Sequence, residues 1–403
     1  KEGLCTLQAA IQASPTYAEA YNNLGVLHRD VGNIAEAIAA YEKCIELAPD
    51  SRNASQNRLL GLNYIYPGED PFVCQAHEEW GKQFASGFSG RLPSLNTASI
   101  VERGLTPNRR LTLGYISPDL YTHSVSYFAQ APLQHHNSEN VRCIVYSCVP
   151  NADAKTALLQ SVVEAAGGEW RNVTALGELE LATMIRGDGV DVLVELTGHT
   201  ANNRLGVMAL RAAPVQITWI GYPNSTGLRE VDYRITDAVC DPPTTSQTFV
   251  EELVRLPGCF LCYTPSRDPP PVAPLPAASN GFVTFGSFNN LAKITPVVIA
   301  CWAQILKAVP TSRLLLKNKP FACESAKAHF LSKLEQEGIS AARVDLLPLF
   351  PDTRDHLSAY SLIDISLDPF PYAGTTTTTE SLFMGVPCLT LVGSCHAHNV
   401  GVS

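Results

Sequence analysis

From Leu111 onward the chain alternates short apolar runs with longer helical stretches, and this alternation limits the folds open to it. Leu111-Thr112-Leu113-Gly114-Tyr115-Ile116, Cys143-Ile144-Val145-Tyr146, Val190 to Leu196 and Val215 to Ile220 read as strands buried on both faces. Ala154 to Ala166 and Leu179 to Gly187 carry helical spacing between them. Strands of that kind need helices on both sides, which is the doubly wound arrangement of a parallel sheet. A Pro-rich crossing from Asp268 to Pro276 leads to a second block. That block holds Phe282-Val283-Thr284-Phe285, Arg313 to Lys317, Val344 to Leu347 and Leu362 to Asp368. We therefore expect two α/β lobes, residues 108–267 and 277–403, with a ligand in the crevice between them. The strand-like Cys388 to Val392 lies close to Ser403, and the first residue is Lys1. We expect the second lobe to be truncated and the chain to be a fragment cut at both ends.

The front of the chain follows a different rule. Tyr21-Asn22-Asn23-Leu24-Gly25 is followed by Gly32-Asn33, Ala37, Tyr41, Cys44 and Pro49, and Pro15 and Pro49 stand 34 residues apart. That period and that order of aromatic, Leu-Gly, small, aromatic and Pro match the tetratricopeptide repeat. Gly3, Leu7 and Ala10 fall 34 residues before Ala37, Tyr41 and Cys44. Residues 1–50 thus hold one complete repeat and part of another. A unit of this type buries its apolar face only against neighbours and commonly forms a protein-binding superhelix. Residues 51–107 are expected to supply capping helices, Asn53 to Tyr66 and Ala76 to Phe88, and then a linker rich in Ser, Gly, Pro and Asn.

Composition removes several functions. At 403 residues, with 45% hydrophobic and 17% charged residues, the chain is long enough for two or three packed domains. A net charge of −9 argues against a nucleic-acid partner, since phosphate backbones favour a basic surface. No apolar run approaches the ~20 residues of a membrane span, and no signal-like segment opens the chain. The 12 cysteines are scattered, the pattern of reduced thiols. Cys259-Phe260-Leu261-Cys262 has metal-like spacing but no second pair, and we read it as buried strand cysteine. His396 and His398 lack completing ligands and read as loop residues near a nucleotide.

The strongest local signal for chemistry is Pro371-Tyr372-Ala373-Gly374-Thr375-Thr376-Thr377, followed by Thr378-Thr379-Glu380-Ser381-Leu382. It joins a buried strand to a helix that Gly385 closes and Pro387 stops. Glycine and hydroxyl residues at such a turn present N–H and O–H donors at a helix N-terminus, where a phosphate can bind. A threonine run also caps helices without binding anything.

Taken together, these motifs carry a resemblance. Tetratricopeptide repeats joined to Gly114-Tyr115-Ile116-Ser117-Pro118-Asp119, Trp219-Ile220-Gly221-Tyr222-Pro223, Phe288-Asn289-Asn290-Leu291-Ala292-Lys293 and Gly374-Thr375-Thr376-Thr377 resemble the intracellular O-GlcNAc transferase family. His123 to Phe128, Leu196 to Asn203 and Pro369 to Gly374 resemble most its plant-type members, regarded as protein O-fucosyltransferases. The resemblance covers nearly the whole chain. It implies lobes of GT-B type and an inverting, metal-independent transfer of a sugar to protein Ser or Thr hydroxyls. The implied donor is GDP-fucose, or UDP-GlcNAc as in the sister enzymes. No cofactor is implied. It also implies nuclear and cytoplasmic location, protein substrates held by the repeats, self-association through them, and repression of gibberellin signalling. A repeat scaffold with decayed lobes is the reading from another class.

The same resemblance assigns residues. Lys293 stands where the family places a phosphate-neutralising lysine, although a lone lysine at a helix start is often only solvated. Gly374, Thr375, Thr376 and Thr377 would hold the diphosphate, with Thr375 where O-GlcNAc transferase has His. Glu380, where that relative has Asp, would accept from ribose hydroxyls. Asn290 replaces a Gln near the base or ribose. His356 aligns with a base-contacting His, while Thr353 stands where the relative has Lys. His123 is the first candidate for the base that takes the hydroxyl proton. Asp153 is its rival and His199 a third. Gly221 and Pro223 are expected to line the cleft with His199.

Overall fold

The structure, a computed structural model, describes residues 2–95, 106 and 108–403. Most of the stretch expected to serve as the linker after Ser94 lies outside the described residues. The first four helices are α1 (Glu2–Ala13), α2 (Ala18–Asp30), α3 (Ile34–Leu47) and α4 (Arg52–Ile65). The repeat pattern explains the packing of α2 on α3. A side chain at Gly25 would run into the Tyr41 ring, and Tyr41, Ala37 and Cys44 are fully buried. Tyr21 is half-buried, its hydroxyl donating to the Pro15 carbonyl at 3.1 Å.

The chain divides into two compact units. One joins Lys1–Pro67 to Pro265–Val402; the other is essentially Gly68–Thr264. Helix α4 therefore belongs with the first unit, and α5 (Pro71–Ser86) with the second. Within its unit α5 packs tightly, because Gly81 sits against the backbone of Gly227 and His77 Nε2 lies 2.8 Å from the Tyr222 hydroxyl.

Among the described residues, the N-terminal lobe has a seven-stranded parallel sheet in the order β3-β2-β1-β4-β5-β6-β7. These strands are β1 (Leu111–Ser117), β2 (Val141–Ser147), β3 (Glu169–Asn172), β4 (Val192–Glu195), β5 (Val215–Thr218), β6 (Tyr233–Asp237) and β7 (Glu252–Leu256). Three of the covering helices are α6 (Ser124–Gln134), α7 (Ala154–Ala165) and α8 (Glu178–Gly187). Ile116, Ile144, Tyr146 and Leu193 pack with Leu181, Ile185 and Met208 to form this lobe's core. The strand order reverses between β1 and β4, so the segments after those strands lie at the position where open α/β sheets bind ligands.

The C-terminal lobe repeats the plan with five parallel strands in the order β10-β9-β8-β11-β12. They are β8 (Thr284–Ser287), β9 (Arg313–Lys317), β10 (Val344–Leu347), β11 (Ile365–Leu367) and β12 (Cys388–Leu389). Phe285, Leu314 and Leu316 pack with Val298, Trp302 and Leu306 of helix Pro296–Ala308. Here the order reverses between β8 and β11.

The repeat is part of this unit. A side chain at Gly32 would meet the Leu291 carbonyl at 3.0 Å, and Asn33 Oδ1 accepts from Lys333 Nζ at 2.9 Å. Tyr64 of α4 stacks on Tyr372 with centroids 5.4 Å apart.

The reading of Cys259 and Cys262 as buried strand cysteines needs correction. Both are exposed, and the segment lies beyond β7. Phe260 is the buried residue there; its carbonyl accepts from Trp219 Nε1 and its amide donates to Asp237.

Candidate active site

In the C-terminal lobe the residues after β8 and β11 are locked to one another. Beyond β8, the Asn290 side chain accepts from the Ala292 amide at 3.0 Å and caps the short turn Leu291–Lys293. That turn carries Lys293. Its ammonium donates to the Ala373 carbonyl at 3.1 Å and to the Gly374 carbonyl, and lies 3.9 Å above the Tyr372 ring. Desolvation pushes the Lys293 pKa down to about 8, partly offset by the charge of Asp368.

Asp368, at the end of β11, holds the same loop from the other side. Its Oδ1 accepts from the Gly374 amide at 2.8 Å, and Oδ2 accepts from Thr378 and Thr390 hydroxyls at 3.3 and 3.1 Å. Burial raises its pKa above the usual carboxylate value. Lys293 thus takes the loop's carbonyls and Asp368 its amide, while Gly374 adopts a positive φ of 25° that favours glycine. The clamp fixes the entry to helix Thr376–Phe383.

The threonine run is itself the first turn of that helix. The Thr375 carbonyl accepts from the amides of Thr378 and Thr379, both at 3.1 Å. Helix geometry leaves the amides of Thr376 and Thr377 pointing outward from the N-terminus, as an anion site requires. The Thr377 hydroxyl donates to Asn289 Oδ1 at 3.1 Å, so its side chain is committed to the protein. Thr375 and Thr376 are half-buried.

One turn further along, Glu380 is buried and its Oε2 lies 2.8 Å from His356 Nε2. The Tyr360 hydroxyl donates to the same oxygen at 3.3 Å. His356 Nδ1 meets the ammonium of Lys317, a buried residue at the end of β9 whose pKa desolvation pushes down to about 8. Lys317 also lies 4.9 Å above the Phe288 ring. Asn290, Lys293, Gly374, Thr375, Thr376, Thr377, Glu380 and His356 therefore fall in one lobe around one strand-order reversal. His398 stacks on Phe370 at 6.1 Å, and the Ala397 carbonyl accepts from the Ala373 amide.

The N-terminal lobe carries the other candidates. His123 is the N-cap of α6, with Val125 N–H donating to its Nδ1 at 3.4 Å. Burial pushes its pKa down to about 4, so the neutral ring predominates at neutral pH. Its Nδ1 lies 3.9 Å from Asp119 Oδ1. The structure gives Asp153 a different role from that of a base. It caps α7 through Thr156, and its Oδ2 accepts from the Thr122 amide at 2.9 Å. Those donors hold its pKa below the usual value despite the opposing desolvation, which makes it a poor proton acceptor. It steadies the turn that presents His123.

His199, Gly221 and Pro223, expected to line the cleft, are held by close packing within the N-terminal lobe. His199 is 3% exposed, its Nε2 bonded to the Thr226 carbonyl, and it sits among Trp80, His77 and Tyr222. Burial and His77 drive its pKa well down. Gly221 lies against the Leu196 carbonyl where no side chain fits, and Pro223 is buried. Arg234 holds this loop through the Tyr222 and Asn224 carbonyls. Asp368, Lys317, Tyr372 and Asp119 were not among the predicted site residues. Lys317 ends β9, and Asp119 and Asp368 come just after β1 and β11. A charged residue at a strand's C-terminal end is the signal that points to these three, while Tyr372 lies further along the loop after β11 and carries no such signal.

Comparison with known proteins defines the class. Residues 97–264 and 275–403 match glycosyl transferase family 41, and residues 18–51 match a tetratricopeptide repeat. The chain belongs to glycosyl transferase family 41. It is 59% identical over 91% of its length to a protein of Oryza sativa named "Probable UDP-N-acetylglucosamine--peptide N-acetylglucosaminyltransferase SPINDLY". It is 60% identical over 89% of its length to the Arabidopsis thaliana protein of the same name. It spans 39% and 38% of those two relatives. An O-GlcNAc transferase of Thermobaculum terrenum, solved as a mutant, superposes with a TM-score of 0.90 at 33% identity. That match covers 99% of this chain and 74% of the other.

Proposed function

We propose that the full-length protein transfers fucose from GDP-fucose to Ser or Thr hydroxyls of proteins, with inversion and without a metal. The observation that supports sugar transfer most is the Lys293–Asp368 clamp, which aims a helix N-terminus from a strand-order reversal. A leaving diphosphate gathers negative charge as its bond to the anomeric carbon breaks. Outward amides of Thr376 and Thr377, with the Lys293 ammonium beside them, would stabilise that charge. Lys293 would have to exchange part of its bonding to Ala373 and Gly374 for the phosphate, which a lysine with mobile donors can do.

In the other lobe, His123 would take the acceptor hydroxyl's proton. Asp153 would act through the Thr122 amide rather than on the substrate. The contacts of Glu380 with His356 and of Lys317 with His356 would border the nucleoside.

Fucose rather than N-acetylglucosamine is favoured by Thr375, which offers a short hydroxyl where O-GlcNAc transferase has an imidazole. The second reading, a UDP-GlcNAc donor, is favoured by the names carried by the plant relatives. The ordered clamp counts against a decayed scaffold. By the same relatedness we propose nuclear and cytoplasmic action, protein substrates held by the repeats, and a part in repressing gibberellin signalling.

Mass spectrometry of an acceptor peptide, incubated with full-length protein and each donor in turn, tests the reading. A mass increase from fucose alone supports it. An increase from N-acetylglucosamine alone favours the second reading, and none from either donor leaves the scaffold.

A further inference from the structure

The N-terminal lobe holds a carboxylate that the proposed chemistry has so far left without a task. Asp119 lies two residues beyond the end of β1, with its amide bonded to the Ser117 hydroxyl at 3.0 Å. Its residue is 7% exposed, and Oδ2 has no hydrogen-bond partner among the described residues. Folded proteins rarely leave a buried carboxyl oxygen unpaired, and such groups concentrate at functional sites. The other oxygen faces His123 Nδ1 at 3.9 Å.

The imidazole has one decisive choice. When Nδ1 accepts from the Val125 amide, the neutral ring's proton is on Nε2, and Nε2 cannot receive another. When Nδ1–H points to Asp119, Nε2 has a free lone pair. The Val125 bond is long at 3.4 Å, so the two arrangements compete within a small movement of the ring.

We infer that Asp119 is a positioning residue that selects the Nδ1–H tautomer of His123 and so makes Nε2 the base. The inference rests on the transferase reading above. In the step it serves, the acceptor hydroxyl gives its proton to Nε2 and its oxygen bonds to the anomeric carbon. The bond from that carbon to the phosphate oxygen breaks, and its electron pair leaves with the diphosphate. The imidazolium formed faces Asp119 and later releases its proton to water.

Desolvation supports this by pushing the Asp119 carboxyl up to about 7 while holding His123 low. The two groups titrate as a pair, and the deprotonated pair is the competent form. Around them, Tyr121 lies 5.5 Å from the His123 ring, with a pKa raised by burial, Asp119 and Asp153. Asp153 itself is engaged in its cap and in the Thr122 amide.

The test uses full-length protein and an acceptor peptide, with turnover followed against pH. Asp119→Asn should lower kcat at least ~10²-fold, as loss of a tautomer-fixing carboxylate does. The donor KM should stay within about twofold, because that group does not hold the nucleotide. The acidic limb should move from near pH 7 to below pH 6, since the imidazole loses the carboxylate that favours its charged form. Ring-nitrogen NMR of His123 is the activity-independent check: the variant should lose Nδ1–H and gain Nε2–H. A folded Asp119→Asn variant with unchanged kcat, limb and tautomer would overturn the inference while the wild type still transfers sugar. Absence of transfer by the wild type would overturn the functional reading and this inference with it.

Discussion

The Lys293 ammonium donates to the Ala373 carbonyl at 3.1 Å, bridging two segments that leave adjacent strands of the C-terminal lobe. The lysine's charge and the shape of the threonine turn are therefore one feature. Lys293→Ala should lower turnover of the full-length enzyme at least ~10²-fold, as loss of one donor to a developing anion does. Steady-state kinetics with a peptide acceptor measures this, and near-normal turnover by a folded variant would remove Lys293 from the mechanism.

The lowered pKa of Lys293 gives a pH signature. Its ordinary value is 10.5 and its value in the protein is about 8, so the ammonium is half-charged near pH 8 and is progressively lost as pH rises through that value. A diphosphate favours the charged form and raises that pKa, so donor binding near pH 8 should take up protons and weaken as pH rises. Calorimetry in two buffers of different ionisation heat reads the uptake. Lys293→Arg stays charged and should abolish it; uptake that survives in that variant would assign it elsewhere, with Lys317 the first alternative.

The stack of Tyr64 on Tyr372 ties the helical array to the same lysine. A desolvated cation over an aromatic face contributes about 1–2 kcal/mol. Tyr372→Leu should weaken donor binding by about 5- to 10-fold, while Tyr64→Leu, acting through Tyr372, should weaken it about 2- to 3-fold. Titration of both variants with the donor decides. A larger loss in Tyr64→Leu would contradict the order of the relay.

Much of this architecture was legible. The strand runs at Leu111, Cys143, Val190, Val215, Arg313 and Val344 are apolar enough to announce themselves, and each became a parallel strand. β3, β6 and β7 were missed because Glu169-Trp170-Arg171-Asn172 is polar, Tyr233-Arg234-Ile235-Thr236-Asp237 buries an arginine, and Glu252-Leu253-Val254-Arg255-Leu256 is a largely exposed edge strand carrying charges. The buried Arg234 is satisfied by carbonyls from the Gly221–Asn224 loop, a long-range contact that local periodicity does not report. The threonine turn was visible as a motif, whereas its clamp by Lys293 depends on folding β8 beside β11. His199 was taken for a cleft residue because a histidine after a strand looks functional; its burial among rings comes from α5, far upstream in sequence.

The repeat's attachment alters how its role is tested. Gly32 and Asn33 contact the C-terminal lobe at Leu291 and Lys333, so α2 to α4 belong to the lobe's own packing. Deleting repeats upstream of Ala18 should cut transfer to protein substrates at least ~10-fold and leave donor hydrolysis within about twofold, because only acceptor binding is lost. Deletion through Ile65 should impair both. Parallel assays of transfer and hydrolysis separate the cases, and equal loss in the shorter deletion would show that the upstream repeats serve folding.

The central claim is the donor. On the proposed reading Thr375 would place a shorter side chain beside the sugar-bearing phosphate, and the Asn290 carbonyl caps its own turn. These changes would reshape a donor pocket while the amides of the helix N-terminus remain. Calorimetric titration of the full-length protein with GDP-fucose and UDP-GlcNAc is the direct measurement. GDP-fucose should bind at least ~10-fold tighter, a difference of about 1.4 kcal/mol. Tighter binding of UDP-GlcNAc would contradict the fucose assignment.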